Sequence, residues 1–534
     1  MNDRLALRAL RRQLFRRYSL LLRRRARFVA ASGCASAVGD DQSPSLLHRV
    51  WYSSFRPIHY NPCPMFKPTG TERPTRFTRR LPVLLLSVLI VWIAGCTHVN
   101  VRLNPPDVLP ENRIRNATRA DTAPPRVTST RPADADGYFV GLAISGGGSR
   151  SANFAAACMF ELQRLGLLDR VDYISCVSGG SLPGAYYCLF DQQWNPGDVQ
   201  RAMTHPFATD MILTTIQPWN ALAMMLTSWD RSDVLASAFQ KHLFSDRRGR
   251  ALTFADLRDD RPRLLINATD LQSGRRFVFT NDAFDELNSD LSKYPISRAV
   301  TASAAVPVLL HQVTLRDYST LFRQYRHLID GGVTDNLGVV TLVDTYISHI
   351  RHARDAGSRD PYPHGAVLLV IDAHTNFDAE LSDKGDIGVL EGLAAGAGLT
   401  STALLNRVSS ATLAEIIVKY APDNSTAADI RQQIARLERD GYLLLHDASN
   451  HDVRVVHLAL SRVNELTDLP FLSFGQRVNN IATYFNIDPT EAYHLYKAAE
   501  LLVKHKFEPT LAQIAAELRR AQSAPVAADA PRSQ

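Results

Sequence analysis

Ser178 stands in Val177-Ser178-Gly179-Gly180-Ser181, between the apolar run Val171–Val177 and a second apolar stretch, Leu182–Phe190. A strand feeding a tight serine turn that opens a helix is the setting of a nucleophilic hydroxyl: the turn lifts the side chain clear of the sheet, and small neighbours leave it room. Gly179 and Gly180 meet that need, whereas Cys176 occupies the place two before the serine where the pattern has glycine. A serine that merely caps the following helix would look the same at this level. A hydroxyl attacks poorly unless a base takes its proton. Asp330 fits that role, because it ends the apolar segment His327–Asp330 and is followed by Gly331 and Gly332, which leave its carboxylate facing a site rather than solvent. Desolvation there would raise its pKa and improve it as a base. The nearby Asp335-Asn336 pair reads instead as the cap of a helix starting at Leu337.

A third group precedes these two. Ser145-Gly146-Gly147-Gly148-Ser149-Arg150 follows the apolar run Tyr138–Ile144 and leads into a helical stretch, Ala152–Leu165. Without side chains the backbone turns sharply and exposes N–H groups, and the helix adds the positive end of its dipole. Such a loop cradles a phosphate or holds the oxyanion of a tetrahedral acyl intermediate. A dinucleotide loop would want a third spaced glycine where Ser151 stands.

These groups must be carried by strands alternating with helices. Arg263–Ala268, Phe277–Thr280, His327–Asp330 and Ala366–Ile371 are further strand candidates, with helical stretches between them; Ala427–Glu438 and Pro489–Val503 read as helices and Val453–Leu460 as a strand. Continuous apolar strand cores imply a mostly parallel sheet covered on both faces. Residues 207–229 gather Met211, Ile212, Leu213, Trp219, Met225 and Trp229 with a single charge, Asp210. They form either a core helix pair or an acyl-binding wall or lid that meets a bilayer.

In this order the motifs resemble those of the patatin-like phospholipases and their cytosolic phospholipase relatives. Ser145–Arg150 is similar to the family's oxyanion loop, Val177–Ser181 to its elbow (in the cytosolic manner, with Gly179), and Asp330-Gly331-Gly332 to its aspartate motif. Asn267–Gly274 and Ala302-Ser303-Ala304-Ala305-Val306-Pro307 also look familial. The resemblance covers about residues 138–375 well and implies a three-layer α/β/α patatin-type fold. It further implies a Ser178–Asp330 dyad without histidine, an oxyanion held by Gly147 and Gly148, and Arg150 positioning it or a lipid phosphate. The implied substrate is a phospholipid or lysophospholipid. Two alternatives stand beside it: a catalytically silent lipid-binding lipoprotein, consistent with Cys176, and a short-chain esterase or acyltransferase using a Ser–Asp–His triad with His374.

The basic balance of the chain sits at its start. Residues 1–64 carry twelve Arg and three Asp, a net of +9, and residues 65–95 add +4, which leaves the rest at −6 of the overall +7. A mildly acidic body excludes a nucleic-acid-binding one. Leu81–Ile93 is apolar, preceded by Arg79 and Arg80, and too short to span a bilayer. With Ile93-Ala94-Gly95-Cys96 it resembles a lipoprotein signal peptide whose cysteine is lipidated. The expected organisation is a non-native or disordered basic extension over 1–64, with translation starting at Met65; a signal peptide over 65–95; a lipidated Cys96 and Pro-rich tether over 96–136, disordered from about 97 to 135; an acyl hydrolase domain over 137–520; and a disordered tail over 521–534. The expected location is a bacterial cell envelope, lipid-anchored in the outer membrane. No cofactor is implied, and no His/Cys/Asp/Glu cluster has the sequence spacing of metal ligands. Cys158, Cys176 and Cys188 read as buried free thiols.

Overall fold

The computed structural model describes residues 104–106, 136–307, 309–320, 324–375, 408–409, 411–421, 425–447, 449–466, 472–481 and 483–523. All fall within the compact unit Pro82–Gln534. Residues 1–64, the signal segment, Cys96, most of the tether and the tail beyond 523 lie outside the described residues.

Nine strands build one sheet: β1 (Phe139–Ile144), β2 (Tyr173–Val177), β3 (Arg263–Asp270), β4 (Arg275–Val278), β5 (Val313–Asp317), β6 (Gln324–Asp330), β7 (Ala366–Asp372), β8 (Tyr442–His446) and β9 (Asp452–Ala459). Their order is β5-β6-β3-β2-β1-β7-β9-β8, with β4 paired to β3 outside that path. The five central strands, β3-β2-β1-β7-β9, run parallel, and β4, β5, β6 and β8 add antiparallel margins.

Among the described helices of eight residues or more are α1 (Gly148–Arg164), α2 (Ser181–Leu189), α3 (Pro196–Met203), α4 (Phe207–Thr215), α5 (Pro218–Leu226), α6 (Arg231–His242), α7 (Ile296–Ser303), α8 (Val339–Asp355), α9 (Ala427–Asp440), α10 (Leu472–Asn479), α11 (Pro489–Leu502) and α12 (Glu508–Ser523). Side chains alternate across a strand. Accordingly Val140, Leu142 and Ile144 of β1 join one buried cluster with α1, α2, α7 and α11, while Phe139 and Ala143 join a second with α8. The sheet therefore has apolar cover on both faces, and the three-layer α/β/α architecture with a parallel centre is what the apolar strand runs predicted.

Differences lie at the margins. β5 and β8 were not anticipated, because both mix polar with apolar residues and pair antiparallel at the sheet edges, where one face is less enclosed. β4 begins two residues early, since its register is set by the hairpin from β3, Asp270 facing Arg275. Within the expected tether, Asn104–Pro106 is docked. The Arg316 N–H donates to Asn104 Oδ1 at 2.6 Å, Asn104 Nδ2 donates to the Arg316 carbonyl, and Ser289 Oγ donates to the Pro105 carbonyl. Helix α12 likewise continues to Ser523, past the expected domain end at 520. Cys158, Cys176 and Cys188 are buried free thiols, as expected.

The α8 layer packs closely enough to test. Leu342 is fully buried, and a Cβ on Gly141 of β1 would lie 2.8 Å from its Cδ1. Leu342→Ala should lower unfolding free energy by about 2–5 kcal/mol in urea titration, because the cavity beside β1 cannot collapse onto a glycine.

Candidate active site

β3 carries neither the candidate nucleophile nor the base, yet it sets their separation. Val177 of β2 lies opposite Asn267, and Asp330 of β6 lies opposite Ala268, the next residue along β3. β2 runs parallel to β3 and β6 antiparallel, so the two segments reach that level from opposite directions. With neighbouring strands about 4.8 Å apart, the elbow and the aspartate loop emerge side by side.

Ser178 has φ of 51°. Left-handed backbone is rare for residues with a Cβ, asparagine being the commonest exception. Among the described residues the other non-glycine cases are Asn288 and Asn450. The strain at Ser178, on the order of 1–2 kcal/mol, is held by its surroundings. Its N–H donates to Ser303 Oγ at 2.7 Å, and the 3₁₀ turn Ser178–Gly180 leads straight into α2. The elbow tolerates no side chains beyond the serine: a Cβ on Gly179 would lie 2.1 Å from the Gly148 carbonyl oxygen, and one on Gly180 would lie 2.5 Å from that of Ser145.

Cys176 has a geometric explanation. It is fully buried against Gly184 of α2, where a Cβ would lie 3.4 Å from Cys176 Cβ and 3.5 Å from Sγ. The small residue the elbow needs has moved from the strand to the helix packed on it. Burial pushes the Cys176 thiol up to about 12, so it is an inert wall.

Asp330 is 4% exposed. Its Oδ1 accepts the Gly332 N–H at 2.7 Å, and the Ser178 hydroxyl lies within hydrogen-bonding range of the carboxyl. Burial pushes the carboxyl up to about 6, against the Gly332 N–H and the Ser178 hydroxyl, which pull it down. Gly331 allows the loop to rest on β3, since a Cβ there would lie 2.3 Å from the Asn267 carbonyl oxygen. Asp335 has the capping role expected of it, with the helix starting two residues later: its carboxylate accepts from the N–H groups of Gly338 and Val340 at the start of α8.

The glycine loop lies beside the elbow. A Cβ on Gly146 would come within 3.4 Å of Ser178 Cβ. Gly147 and Gly148 have φ of 137° and 56°, conformations that glycine adopts without strain. The N–H groups on either side are used, Gly146 on the Asn336 carbonyl at 3.0 Å and Ser149 on the Tyr484 carbonyl at 2.6 Å. Those of Gly147 and Gly148 have no hydrogen-bond partner among the described residues. Two unused donors at a helix N-terminus, next to a strained hydroxyl, can stabilise an oxyanion.

Arg150 is placed differently from the sequence expectation of a group facing oxyanion or phosphate. It is buried, with Nη1 donating to Thr375 Oγ1 and to the Ile481 carbonyl, and Nη2 3.7 Å from where a Gly147 Cβ would be. Burial lowers its guanidinium to about 10, opposed by Asp372. These contacts brace the loop from behind. Just after β7, the main-chain N–H of His374 donates to Asp372 Oδ1, and Asp372 Oδ2 meets His457 Nε2 at 3.1 Å. No histidine is among the groups that shift Asp330.

Residues that the sequence did not single out complete the site. Ser303 lay inside a familial stretch without a role, and Tyr484 and Asn336 act through backbone carbonyls, which carry no signature in sequence. The fold also gathers His205, Asp210 and His242, whose ligand-type atoms lie within 4.8 Å of one another. The two imidazoles are stacked, with centroids 3.8 Å apart and planes 24° from parallel. Their lone pairs therefore run side by side rather than converging on a point, and His205 is already hydrogen-bonded to Asp210 at 2.7 Å.

Comparison with known proteins agrees with this geometry. The family model described as Patatin-like phospholipase matches residues 142–343, from β1 into α8, and takes in the glycine loop, the elbow and the aspartate motif. No curated protein matches the chain. Among solved structures, human GIVD cytosolic phospholipase A2 is 12% identical, with TM-score 0.40, over 79% of this chain and 66% of that one. The same protein in complex with methyl gamma-linolenyl fluorophosphonate and terbium chloride is 13% identical, with TM-score 0.41, over 78% and 65%. VipD from Legionella pneumophila is 13% identical, with TM-score 0.22, over 72% and 88%. The chain thus spans slightly less than two thirds of the human enzyme's length, and likeness at this distance carries no conclusion about substrate. Over residues 142–343, the chain is similar to the patatin-like phospholipase family.

Proposed function

We propose that the chain is a lipid acyl hydrolase of phospholipase A or lysophospholipase type, acting through Ser178 and Asp330. The observation that carries this reading is a serine in left-handed backbone, its hydroxyl against a buried carboxyl, beside two unused glycine N–H groups. As Ser178 Oγ bonds to the ester carbonyl carbon, its proton passes to Asp330. The oxyanion forms against the Gly147 and Gly148 N–H groups. Collapse breaks the acyl C–O bond, and the leaving alkoxide takes the proton from Asp330. Water then attacks the acyl-enzyme, Asp330 again accepting a proton, and releases the fatty acid with Ser178 restored. A silent lipid binder would need neither the strain at Ser178 nor the desolvated base. Against a histidine triad, no histidine is among the groups that shift Asp330, and His457 is engaged with Asp372.

The reading extends to a membrane-bound protein anchored through a lipidated Cys96 and a tether in a bacterial envelope. Among the described residues no helix is long and apolar enough to cross a membrane. Of the two helices expected as either core or bilayer-facing, α4 buries Phe207 and Thr215, and α5 is not core. Ile216, Trp219 and Leu226 are 63%, 66% and 74% exposed, and no residue of α5 is buried. Such a patch is what a monomer keeps out of water by lying on lipid.

Purified protein should hydrolyse phospholipid or lysophospholipid acyl esters, and Ser178→Ala and Asp330→Asn should each lower kcat by at least a thousandfold while His374→Ala stays within a few-fold. Full activity in Asp330→Asn would sink the dyad. Because the base acts deprotonated, kcat/KM should fall about tenfold per unit below an apparent pKa of about 6; a rate level down to pH 4.5 contradicts the assignment. In a Cys96→Ser background, which removes the lipid, Trp219→Glu with Leu226→Glu should weaken binding to phosphatidylethanolamine–phosphatidylglycerol vesicles at least tenfold. Hydrolysis of a soluble short-chain ester should be unchanged, and unaltered vesicle binding removes α4 and α5 from the membrane contact.

A further inference from the structure

The end of α7 touches both halves of the Ser178–Asp330 pair. The Ser303 hydroxyl accepts the Ser178 N–H at 2.7 Å and donates to the Asn267 carbonyl at 2.6 Å. The Ser303 carbonyl accepts the Gly331 N–H at 3.1 Å, and the Ala305 carbonyl accepts the Asp330 N–H at 3.0 Å. Two residues, Ser303 and Ala305, thus hold the elbow by a side chain and the aspartate loop by the main chain. The last carbonyls of a helix lack partners within it; here Ser303 finds one in Gly331. Helix α7 is itself fixed by the buried pair of Arg298 with Asp233 of α6, at 2.8 Å.

A hydroxyl suits this position. In left-handed backbone the Ser178 N–H joins neither the β2 ladder nor the helix that follows, so it must find a side-chain acceptor. The same oxygen must also give its proton to Asn267, the β3 residue that faces Val177 and whose carbonyl underlies Gly331. Serine and threonine accept and donate at one atom; alanine does neither, and the cysteine thiol does both weakly. Ser181 Oγ lies 3.3 Å from Ser303 Oγ, yet no contact of Ser181 with the Ser178 N–H accompanies it.

We propose that Ser303 is a positioning residue for the reaction: its hydroxyl, with the Ser303 and Ala305 carbonyls, holds the Ser178 hydroxyl at the distance from Asp330 that proton transfer requires. This rests on the hydrolase reading. It concerns the chemical step, so it separates kcat from KM. Ser303→Ala should lower kcat ten- to a hundredfold with KM within about twofold, and Ser303→Thr should recover most of the rate. Loosening Ser178 also removes a hydrogen bond that lowers the Asp330 pKa, so the acid limb of kcat/KM should move to higher pH in Ser303→Ala, a change that lost packing alone would not produce. Where Ser303→Ala does not fold, Ser303→Cys, near serine in size, carries the same expectation.

Labelling of Ser178 by a fluorophosphonate, measured beside hydrolysis, separates the two claims. A wild-type protein that neither hydrolyses nor labels overturns the hydrolase reading and this inference with it. An active wild type overturns the inference alone in either of two cases: Ser303→Ala or Ser303→Cys matches its kcat and acid limb, or Ser303→Thr is as impaired as Ser303→Ala.

Discussion

A carboxyl group buried where two strands of opposite polarity meet β3 governs the arrangement of this molecule. An ionised carboxylate out of water is stabilised only by the donors the protein supplies. Asp330 has two, the Gly332 N–H and the Ser178 hydroxyl, and no cation is among the groups that shift it. The neutral form is therefore favoured well above the usual carboxylate range, and the group keeps a proton affinity suited to accepting one from a neighbouring hydroxyl. A paired Arg or Lys would have removed that affinity, as Asp270 illustrates: Arg326 and the Ser273 hydroxyl help hold it below its ordinary value although burial pushes it up.

Such a site must be built with little tolerance, and close approaches of backbone to backbone supply the rigidity. Gly179 rests on the Gly148 carbonyl, Gly331 on that of Asn267, and Gly148 on that of Tyr484, where an added Cβ would lie 2.1, 2.3 and 2.4 Å away. Five chain segments thus meet in backbone-to-backbone contacts with no side chain between them. The strain at Ser178 is sustained because its N–H, the glycine turn and α2 all require the same backbone conformation.

The segment around Tyr484 joins this centre to the exposed apolar helices. The Tyr484 carbonyl accepts the Ser149 N–H, and that of Phe485 accepts the N–H of Ala208. Asn486 Oδ1 takes the N–H groups of Ala208 and Thr209 at the start of α4. One short stretch therefore serves as cap for both the oxyanion-loop helix and the first exposed helix. Asp210, the only charge in 207–229, is paired with His205 and His242.

The amino-acid sequence by itself determined the layers and the chemical parts. Apolar runs long enough to cross a covered sheet marked β1, β2, β3 and β7, since a strand buried on both faces has no polar alternation. Ser178, Asp330 and the three glycines were legible because few residue types can occupy such turns. Tertiary structure alone decided what no local pattern encodes. The antiparallel course of β6 sets Asp330 one β3 residue from the level of the elbow, and register between distant strands depends on packing rather than composition. The direction in which Arg150 points is not written in its residue type; its contacts with Thr375 and Ile481 chose its place. The apolar character of 207–229 suited core and surface equally, and its exposure was settled by the faces α4 and α5 could find to pack against. Ser303 lay in plain view as one small residue among alanines, and only the folded chain could show that its hydroxyl accepts the Ser178 N–H.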